Sequence, residues 1–354
     1  MEALEKAGAS RIEIARQRAV DIANMLEKYR PDHVFALSSE AAFAVWGLAR
    51  RRWPVPSGTE LETIFLTDKT TSWSDRPIRY LRDRLWWRAV RKSPCTRMLF
   101  LAFRSYLWAK RHVPLRERSS VEFIPDPALE PEIDLGVDEA RSILGIPTDG
   151  TYIGLAGCLD RRKNLEPFLD AFFSVPRLAH VRVLLGGRLA DEYAHFPQKY
   201  RAQIESGQLI LRTGYLDERE YQAVQTSLDA MVLLYNQENW MSSGLILQAA
   251  RTRKYVLTNR SGWAGYATRR FGLGVCVEDL RAETINAGIE ELMSLLSRPY
   301  QHSELARRWL ELCSPEWFTA ILTNRLRERL GHETFRLPQG WESIFWDGGA
   351  AWDE

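Results

Sequence analysis

The chain has 354 residues, of which 45% are hydrophobic and 27% are charged, and its formal net charge is +2 at pH 7. This composition is typical of a globular protein, and the length favours two domains. No apolar run is long enough to span a bilayer, and the residues after Met1 lack a signal-peptide pattern, so we expect a cytoplasmic protein. The four cysteines are widely separated and the six histidines lack metal-ligand spacing, which favours reduced thiols and predicts no metal site.

The charge is distributed unevenly. From Arg76 to Arg118 the chain has thirteen Lys or Arg residues and two acids, whereas the remainder has 35 basic and 44 acidic residues. The same basic segment contains Trp86, Trp87 and Trp108. Such a mixture suits an anionic membrane surface, here the inner face of the membrane, or a phosphate-bearing acceptor. The alternative is a solvated helix face beside an acidic partner domain.

Strands alternate with helices along the first part of the chain. The pattern predicts a long helix over residues 2–29, followed by strands over 33–37, 61–67, 96–102 and 121–124, with helices over 39–52, 76–92 and 104–112 between them. This alternation indicates a parallel sheet. Residues 125–131 are rich in proline and acids and predict an interdomain linker.

The second part alternates more regularly. Strands are predicted over residues 152–155, 181–185, 209–212, 230–234, 255–257 and 275–277, and helices over 165–174, 196–205, 217–225, 244–252 and 266–270. Six such strands form a doubly wound parallel sheet. Closing helices follow over 282–297, 303–312 and 315–329. The tail after Gly331 contains Trp341, Trp346 and Trp352 without a period, and it either packs on the first domain or stays loose. We therefore divide the chain into residues 1–126, 127–300 and 301–354.

One stretch, residues 229–261, indicates a ligand site. Its residue pattern predicts a buried strand, a polar and aromatic loop, a helix that starts at Ser242-Ser243-Gly244, and a second strand. In a parallel sheet this loop lies at the carboxyl edge, where ligands bind. The free N–H groups and the positive dipole end of the helix suit a phosphate. A simpler interpretation is that the Ser-Ser-Gly turn only caps the helix.

Five segments, in this order, resemble the C-terminal domain of the retaining, GT-B-fold glycosyltransferases of family 4. They are IGLAGCLDRRKNLEPFLDAF, VRVLLGGR, LILRTGYLDEREYQAVQTSLDAMVLLY, SSGLILQAARTRKYVLTNRSG and FGLGVCVED. The similarity covers about half of the chain, and the set is more specific than any of its members. It implies an α/β, GT-B-like fold with two Rossmann-like doubly wound parallel-sheet domains, the first of them incomplete.

The resemblance implies transfer of a sugar from a nucleotide-diphosphate sugar to a glycan or lipid-linked acceptor, in bacterial polysaccharide or glycoconjugate biosynthesis. It also implies retention of the anomeric configuration and no required metal or cofactor. Arg162 and Lys163 match the cations that hold the diphosphate, with Arg161 as a third candidate; such cations stabilise the charge on the leaving group. The remaining matched donor contacts are Gly157, Tyr215, Leu216, Ser242, Ser243, Gly244 and Leu245.

The sequence departs from the family in two places. Two glutamates, eight residues apart in the family, align with Trp240 and Gln248. Gln248 can still bond a ribose hydroxyl, Trp240 can stack on a sugar, and Glu238 could replace the missing carboxylate. The first domain is also short, with Asp68, the last residue of IFLTD, as its acceptor-side candidate. For the short first domain we expect one of three explanations: the gene start is placed too late, a partner supplies the missing surface, or the protein no longer catalyses.

Three rival functions follow. A non-catalytic binding or scaffold protein on the same fold is favoured by the lost glutamates and the short first domain. An NAD enzyme is disfavoured because no G-x-G-x-x-G follows a strand, and Gly272-Leu273-Gly274 precedes one instead. A nucleic-acid role is disfavoured because no basic motif with a known docking geometry is present.

Overall fold

The computed structural model describes residues 10–37, 40–48, 55–66, 77–90, 92, 95–112, 120–128, 133–176, 181–236 and 242–346. These residues form two compact units, and each is described here by itself. Unit 1 comprises Met1–Asp126 together with Glu316–Glu354, and unit 2 comprises Pro127–Pro315. None of the described helices combines the length and the hydrophobicity that a bilayer-spanning segment needs.

Unit 1 contains a four-stranded parallel sheet with the strands in sequence order. Its elements are α1 (Arg11–Tyr29), β1 (His33–Ala36), α2 (Glu40–Leu48), β2 (Glu60–Phe65), α3 (Pro77–Val90), β3 (Arg97–Phe100), α4 (Phe103–His112) and β4 (Ser120–Phe123). The crossovers between these strands all advance in one direction, and right-handed crossovers of this kind place their helices on one face of the sheet. The sheet therefore corresponds to half of a doubly wound fold.

Unit 2 contains a six-stranded parallel sheet in the order β10-β9-β8-β5-β6-β7. Its strands are β5 (Thr151–Ala156), β6 (Val181–Gly187), β7 (Leu209–Thr213), β8 (Ala230–Leu233), β9 (Tyr255–Asn259) and β10 (Gly274–Val277). The chain winds outward in one direction from β5 to β7 and in the other from β8 to β10. The strand order therefore reverses between β5 and β8, which is the switch point where ligands bind in such sheets.

Helices cover both faces of the second sheet. They are α5 (Val137–Ile143), α6 (Leu165–Phe173), α7 (Phe196–Lys199), α8 (Arg201–Glu205), α9 (Glu218–Ser227), α10 (Gly244–Arg251), α11 (Gly262–Phe271), α12 (Ala282–Leu296) and α13 (Glu304–Leu312). The predicted helix over 196–205 is interrupted at Tyr200, whose backbone leaves the helical region. On one face of the sheet, alternate apolar strand residues pack against the inward faces of α6 and α12.

After α13 the chain returns to unit 1. Helix α14 (Pro315–Arg329) covers the sheet face that includes Ile64, Leu99 and Ile124, and its Ile321 is buried there. Beyond it, α15 (Glu342–Phe345) places Phe345 against Phe103 and Phe123 of unit 1. The described residues of the tail therefore pack on the first domain, which is one of the two alternatives predicted from the sequence.

The predicted α/β class with two parallel sheets is confirmed. All ten predicted strands are present, and the second sheet is doubly wound whereas the first is a half. The agreement is close because parallel strands that are buried on both faces produce short, nearly continuous apolar runs bounded by polar residues, which periodicity detects well.

Candidate functional site

The cation loop, residues 157–164, begins where β5 ends. Asp160 caps a short 3-10 turn over Arg161–Lys163 by accepting a hydrogen bond from the Arg162 backbone N–H. The same carboxylate accepts from the Arg162 guanidinium at 2.7 Å, which holds that side chain while leaving it 54% exposed. The pKa of Asp160 is lowered: burial would raise it, but the hydrogen bonds from Arg162 outweigh burial. Arg162 is thus a positioned, accessible cation.

Lys163 differs from Arg162 because it is buried, with 6% of its surface exposed. Its Nζ lies 5.8 Å from the centre of the Tyr235 ring. Among the described residues, none accepts a hydrogen bond or forms an ion pair with this ammonium. Burial lowers the pKa of Lys163 to about 8, and the attraction of Asp160 offsets only part of that effect. A buried cation without an anionic partner is costly unless a ligand supplies the anion.

Two hydrogen bonds fix the cation loop at the switch point. Asn164, in the left-handed region with φ of 47°, donates from Nδ2 to the Leu234 carbonyl at 2.7 Å. In return, the backbone N–H of Asn236 donates to the Arg162 carbonyl at 2.8 Å. The loop after β5 and the end of β8 are therefore joined, and the cations lie where the strand order reverses.

The amino end of α10 lies at the same place. Ser243 is the N-cap, but its side chain does not cap the helix; Oγ instead lies 3.1 Å from the Tyr235 hydroxyl. Within the described part of the chain, the backbone N–H groups of Gly244 and Leu245 have no protein acceptor. Tyr235 contacts both Lys163 and Ser243, so the cation loop and the helix end form one site. Free amides and a positive dipole end add to the attraction for an anion.

Glycines line the neighbouring strand ends. Gly187, with φ of 126°, is the last residue of β6, and a Cβ there would lie 2.1 Å from the Gly157 carbonyl oxygen. Gly157, with φ of 115°, passes beside the Lys163 ammonium; a Cβ there would lie 3.9 Å from Nζ. After β7, Gly214 leads into Tyr215, which is 96% exposed, and half-buried Leu216. The backbone can therefore approach a ligand closely along β5 to β7.

Gln248 has a defined partner that the sequence did not indicate. Its side-chain amide and that of Gln225 on α9 exchange two hydrogen bonds. The ribose contact predicted for Gln248 therefore needs this pair to open, and it stays a prediction. Ser242 lies just before the helix end. Asp68, Glu238 and Trp240 lie outside the described residues.

The structure thus brings together the predicted residues Gly157, Arg162, Lys163, Ser243, Gly244 and Leu245. Sequence reasoning missed two residues that join them, Asn164 and Tyr235. Asn164 belongs to the Arg-Lys-Asn motif that carried the resemblance, and Tyr235 is the last aromatic residue of a buried strand segment. Both positions were visible in the sequence, but their contacts reach across about seventy residues of chain.

A different cluster lies in unit 1. His33, Glu60 and Glu62 have ligand-type atoms within 4.8 Å of one another. The two ring nitrogens of His33 face different carboxylates, at 3.9 Å and 3.4 Å. Arg97 donates to Glu62 at 2.8 Å, and Arg329 lies 3.7 Å from Glu60. Arginines beside both carboxylates supply the counter-charge that a metal ion would otherwise provide, so we interpret this cluster as an ion-pair network.

No protein-family model matches the chain, and no curated protein has a matching sequence. Solved structures do match. Sucrose-phosphate synthase from Thermosynechococcus elongatus has a TM-score of 0.66 at 14% identity, over 90% of this chain and 79% of that one. A glycosyltransferase from Rickettsia africae has a TM-score of 0.60 at 13% identity, over 94% and 88%. HepE from Anabaena, in complex with UDP and glucose, has a TM-score of 0.57 at 14% identity, over 88% and 81%. At this level of identity the likeness establishes the fold, which is that of GT-B glycosyltransferases.

Proposed function

We propose that the protein transfers a sugar from a nucleotide-diphosphate sugar to a glycan or lipid-linked acceptor. The observation that carries this proposal is Lys163, a buried cation without an anionic partner among the described residues, placed at the switch point beside a free helix amino end. A diphosphate supplies the missing anion. Solved neighbours of the same fold include a UDP complex, which makes UDP the first nucleotide to test.

The proposed chemistry breaks the bond between the anomeric carbon and the diphosphate oxygen and forms a bond to an acceptor hydroxyl, which loses its proton. The leaving diphosphate gains one negative charge. Lys163 and Arg162 lie where they can offset that charge, and the amides of Gly244 and Leu245 add to their effect. Fixed cations can thereby fill the role that a metal has in other transferases, so the proposed reaction uses no metal or cofactor. Retention of the anomeric configuration is part of the proposal on the family resemblance alone.

The remaining contacts belong to the same proposal. Tyr215 and Leu216 receive the base, and Gln248 receives the ribose after release from Gln225. Glu238 or Trp240 meets the donor sugar, and Asp68 serves the acceptor. The class of product, a bacterial polysaccharide or glycoconjugate, rests on the family resemblance alone.

The test is calorimetric titration of the purified chain with UDP, GDP and ADP, repeated on Lys163→Met. We expect one nucleotide to bind with micromolar affinity and the variant to weaken binding about 100-fold, since charge-assisted hydrogen bonds to a diphosphate are lost. Lys254→Met is the matched control. Burial also lowers the pKa of Lys254 to about 8, but its ammonium donates to the Thr226 and Leu228 carbonyls. These residues precede the amino ends of β8 and β9, at the sheet edge opposite the proposed site.

Nucleotide affinity that is unchanged in Lys163→Met, or lost equally in Lys254→Met, would remove the diphosphate assignment. A second outcome would favour the non-catalytic binding protein. The observation that favours this alternative is the pairing of Gln248 with Gln225, because the pair occupies the amide that is expected to contact the ribose. Weak or absent binding of all three nucleotides, or nucleotide binding without transfer from any nucleotide-sugar, would support that alternative.

A further inference from the structure

Helix α3 presents an apolar row to solvent. Ile78, Leu81 and Leu85 are 85%, 52% and 64% exposed. Because they are spaced three, four and seven residues apart, they lie on one side of the helix. The opposite side is anchored in the core by Trp87 and Val90, both buried. We call the exposed side the Ile78–Leu85 face.

Cations flank this row on both sides. At 100° per residue, Arg82 lies beside Ile78 on one flank and Arg88 beside Leu81 on the other, and both are exposed. Arg84 extends along the edge of the helix, over the rings of Tyr80 and Trp108 at 4.8 and 4.9 Å. The one acid of α3, Asp83, is buried, with 3% exposed. The outward face therefore combines aliphatic side chains with positive charge and has no exposed acid.

The tryptophans of the basic segment do not belong to the Ile78–Leu85 face. Trp87 is 3% exposed and stacks on Phe65 and Trp108. Trp86 meets Trp87 edge to face at 4.8 Å and is half-buried. These rings fill the space between α3, α4 and the sheet, so the aromatic part of the predicted membrane-binding mixture is structural. The aliphatic residues Ile78, Leu81 and Leu85 form the exposed surface instead.

We propose that the Ile78–Leu85 face docks on an anionic lipid bilayer. An exposed aliphatic row gains free energy by entering the acyl boundary, and long arginine side chains at its flanks can reach lipid phosphates. Charge complementarity favours a bilayer over a protein groove, because the cations border the row along both flanks, as a helix lying in the plane of a membrane requires. Outside the basic segment the chain has 35 basic and 44 acidic residues. An anionic bilayer therefore attracts the basic segment, which includes this face, more strongly than the remainder of the chain.

The test is co-sedimentation of the whole chain with vesicles of phosphatidylcholine mixed with phosphatidylglycerol, against vesicles of phosphatidylcholine alone. We expect binding to the anionic vesicles only, weakened by added salt. Leu85→Glu should lower the partition coefficient roughly tenfold, and Leu81→Glu with Leu85→Glu further, since each removes an inserted aliphatic group and adds a repelled charge. Leu85 is exposed, so the variants should fold, as circular dichroism can verify.

The matched control is Leu330→Glu, at an aliphatic residue of unit 1 that is 72% exposed and follows α14. It adds the same charge and should leave vesicle binding unchanged. Absence of binding to anionic vesicles, equal binding to neutral ones, or wild-type binding by the double variant would each overturn the proposal. Equal losses in Leu85→Glu and Leu330→Glu would also overturn it, because the effect would then come from net charge alone. The readout is independent of sugar transfer.

Discussion

Arg97 in unit 1 and Lys163 in unit 2 are both buried cations, but their surroundings differ. Arg97 is 1% exposed, starts β3, and donates to Glu62 at 2.8 Å, to Glu122 at 2.6 Å and to the Ile321 carbonyl at 2.9 Å. Burial alone would lower its pKa, but the bonds to Glu122 and Glu62 raise it. Lys163 follows the carboxyl end of β5, lacks such partners, and its pKa is lowered.

Arg97 has the surroundings of a structural charge, whereas Lys163 has the surroundings that we propose for a diphosphate site. Arg97 lies at the amino end of β3, where three hydrogen bonds join it to β2, β4 and α14. Lys163 lies at the carboxyl ends, where parallel sheets bind ligands. Burial is nearly equal for the two residues, so burial by itself does not identify a site. What distinguishes the proposed site is that no described hydrogen-bond acceptor meets the buried charge of Lys163, whereas carboxylates meet Arg97 and two backbone carbonyls meet Lys254.

The largest expected effect is on the stability of unit 1. Arg97→Met should lower the free energy of unfolding by about 3–5 kcal/mol, because Glu62 would remain buried with its charge uncompensated. Urea denaturation, followed by circular dichroism, measures this loss. Lys110→Met is the control in the same unit: its pair with Glu342, at 2.7 Å, is between partners 53% and 39% exposed. That change should cost at most about 1 kcal/mol. Similar losses in the two variants would contradict the structural role of Arg97.

Replacing Lys163 is expected to change the free energy of unfolding in the opposite direction. Its folded-state pKa of about 8 lies below the ordinary value of 10.5, so the folded state carries this charge at a cost below pH 8. Lys163→Met should therefore raise the free energy of unfolding at pH 7 by about 1–3 kcal/mol. The folded state binds fewer protons than the unfolded state between the two pKa values, so the gain should shrink as the pH rises from 8 towards 10.5. Denaturation curves at pH 7 and pH 10 measure the difference, and a destabilised variant would show that Lys163 is a structural residue like Arg97.

The pH dependence of nucleotide binding gives a smaller and more specific test. If the diphosphate needs a protonated Lys163, affinity should be constant below pH 8 and fall up to about tenfold per pH unit above it. Lys163→Arg keeps its charge throughout this range, so its affinity, even if lower, should not fall in the same way. Titration calorimetry from pH 7 to pH 10 on both proteins provides the data. An identical fall in the two would assign the titration to another group.

Much of the fold could be predicted from the sequence. The strands over 230–234 and 275–277 are short apolar runs between polar residues, and the cation loop directly follows such a run. Local patterning therefore located Arg162, Lys163 and the start of α10. Helix α14 shows the limit of this reasoning. Its sequence predicts a helix but does not indicate that it returns to unit 1, because that depends on the uncovered face around Ile64 and Leu99.

The amino-acid sequence is enough to predict the alternation of strands and helices, the places where loops leave the carboxyl ends of strands, and the charge of those loops. These features depend on residues close together in the chain. Which charges are paired follows only from the three-dimensional fold: Arg97 donates to Glu62 across 35 residues, whereas no described carboxylate pairs with Lys163. The fold also determines that Trp87 is buried and Leu85 exposed. Partner choice and burial depend on contacts between distant segments, and a one-dimensional pattern does not contain them.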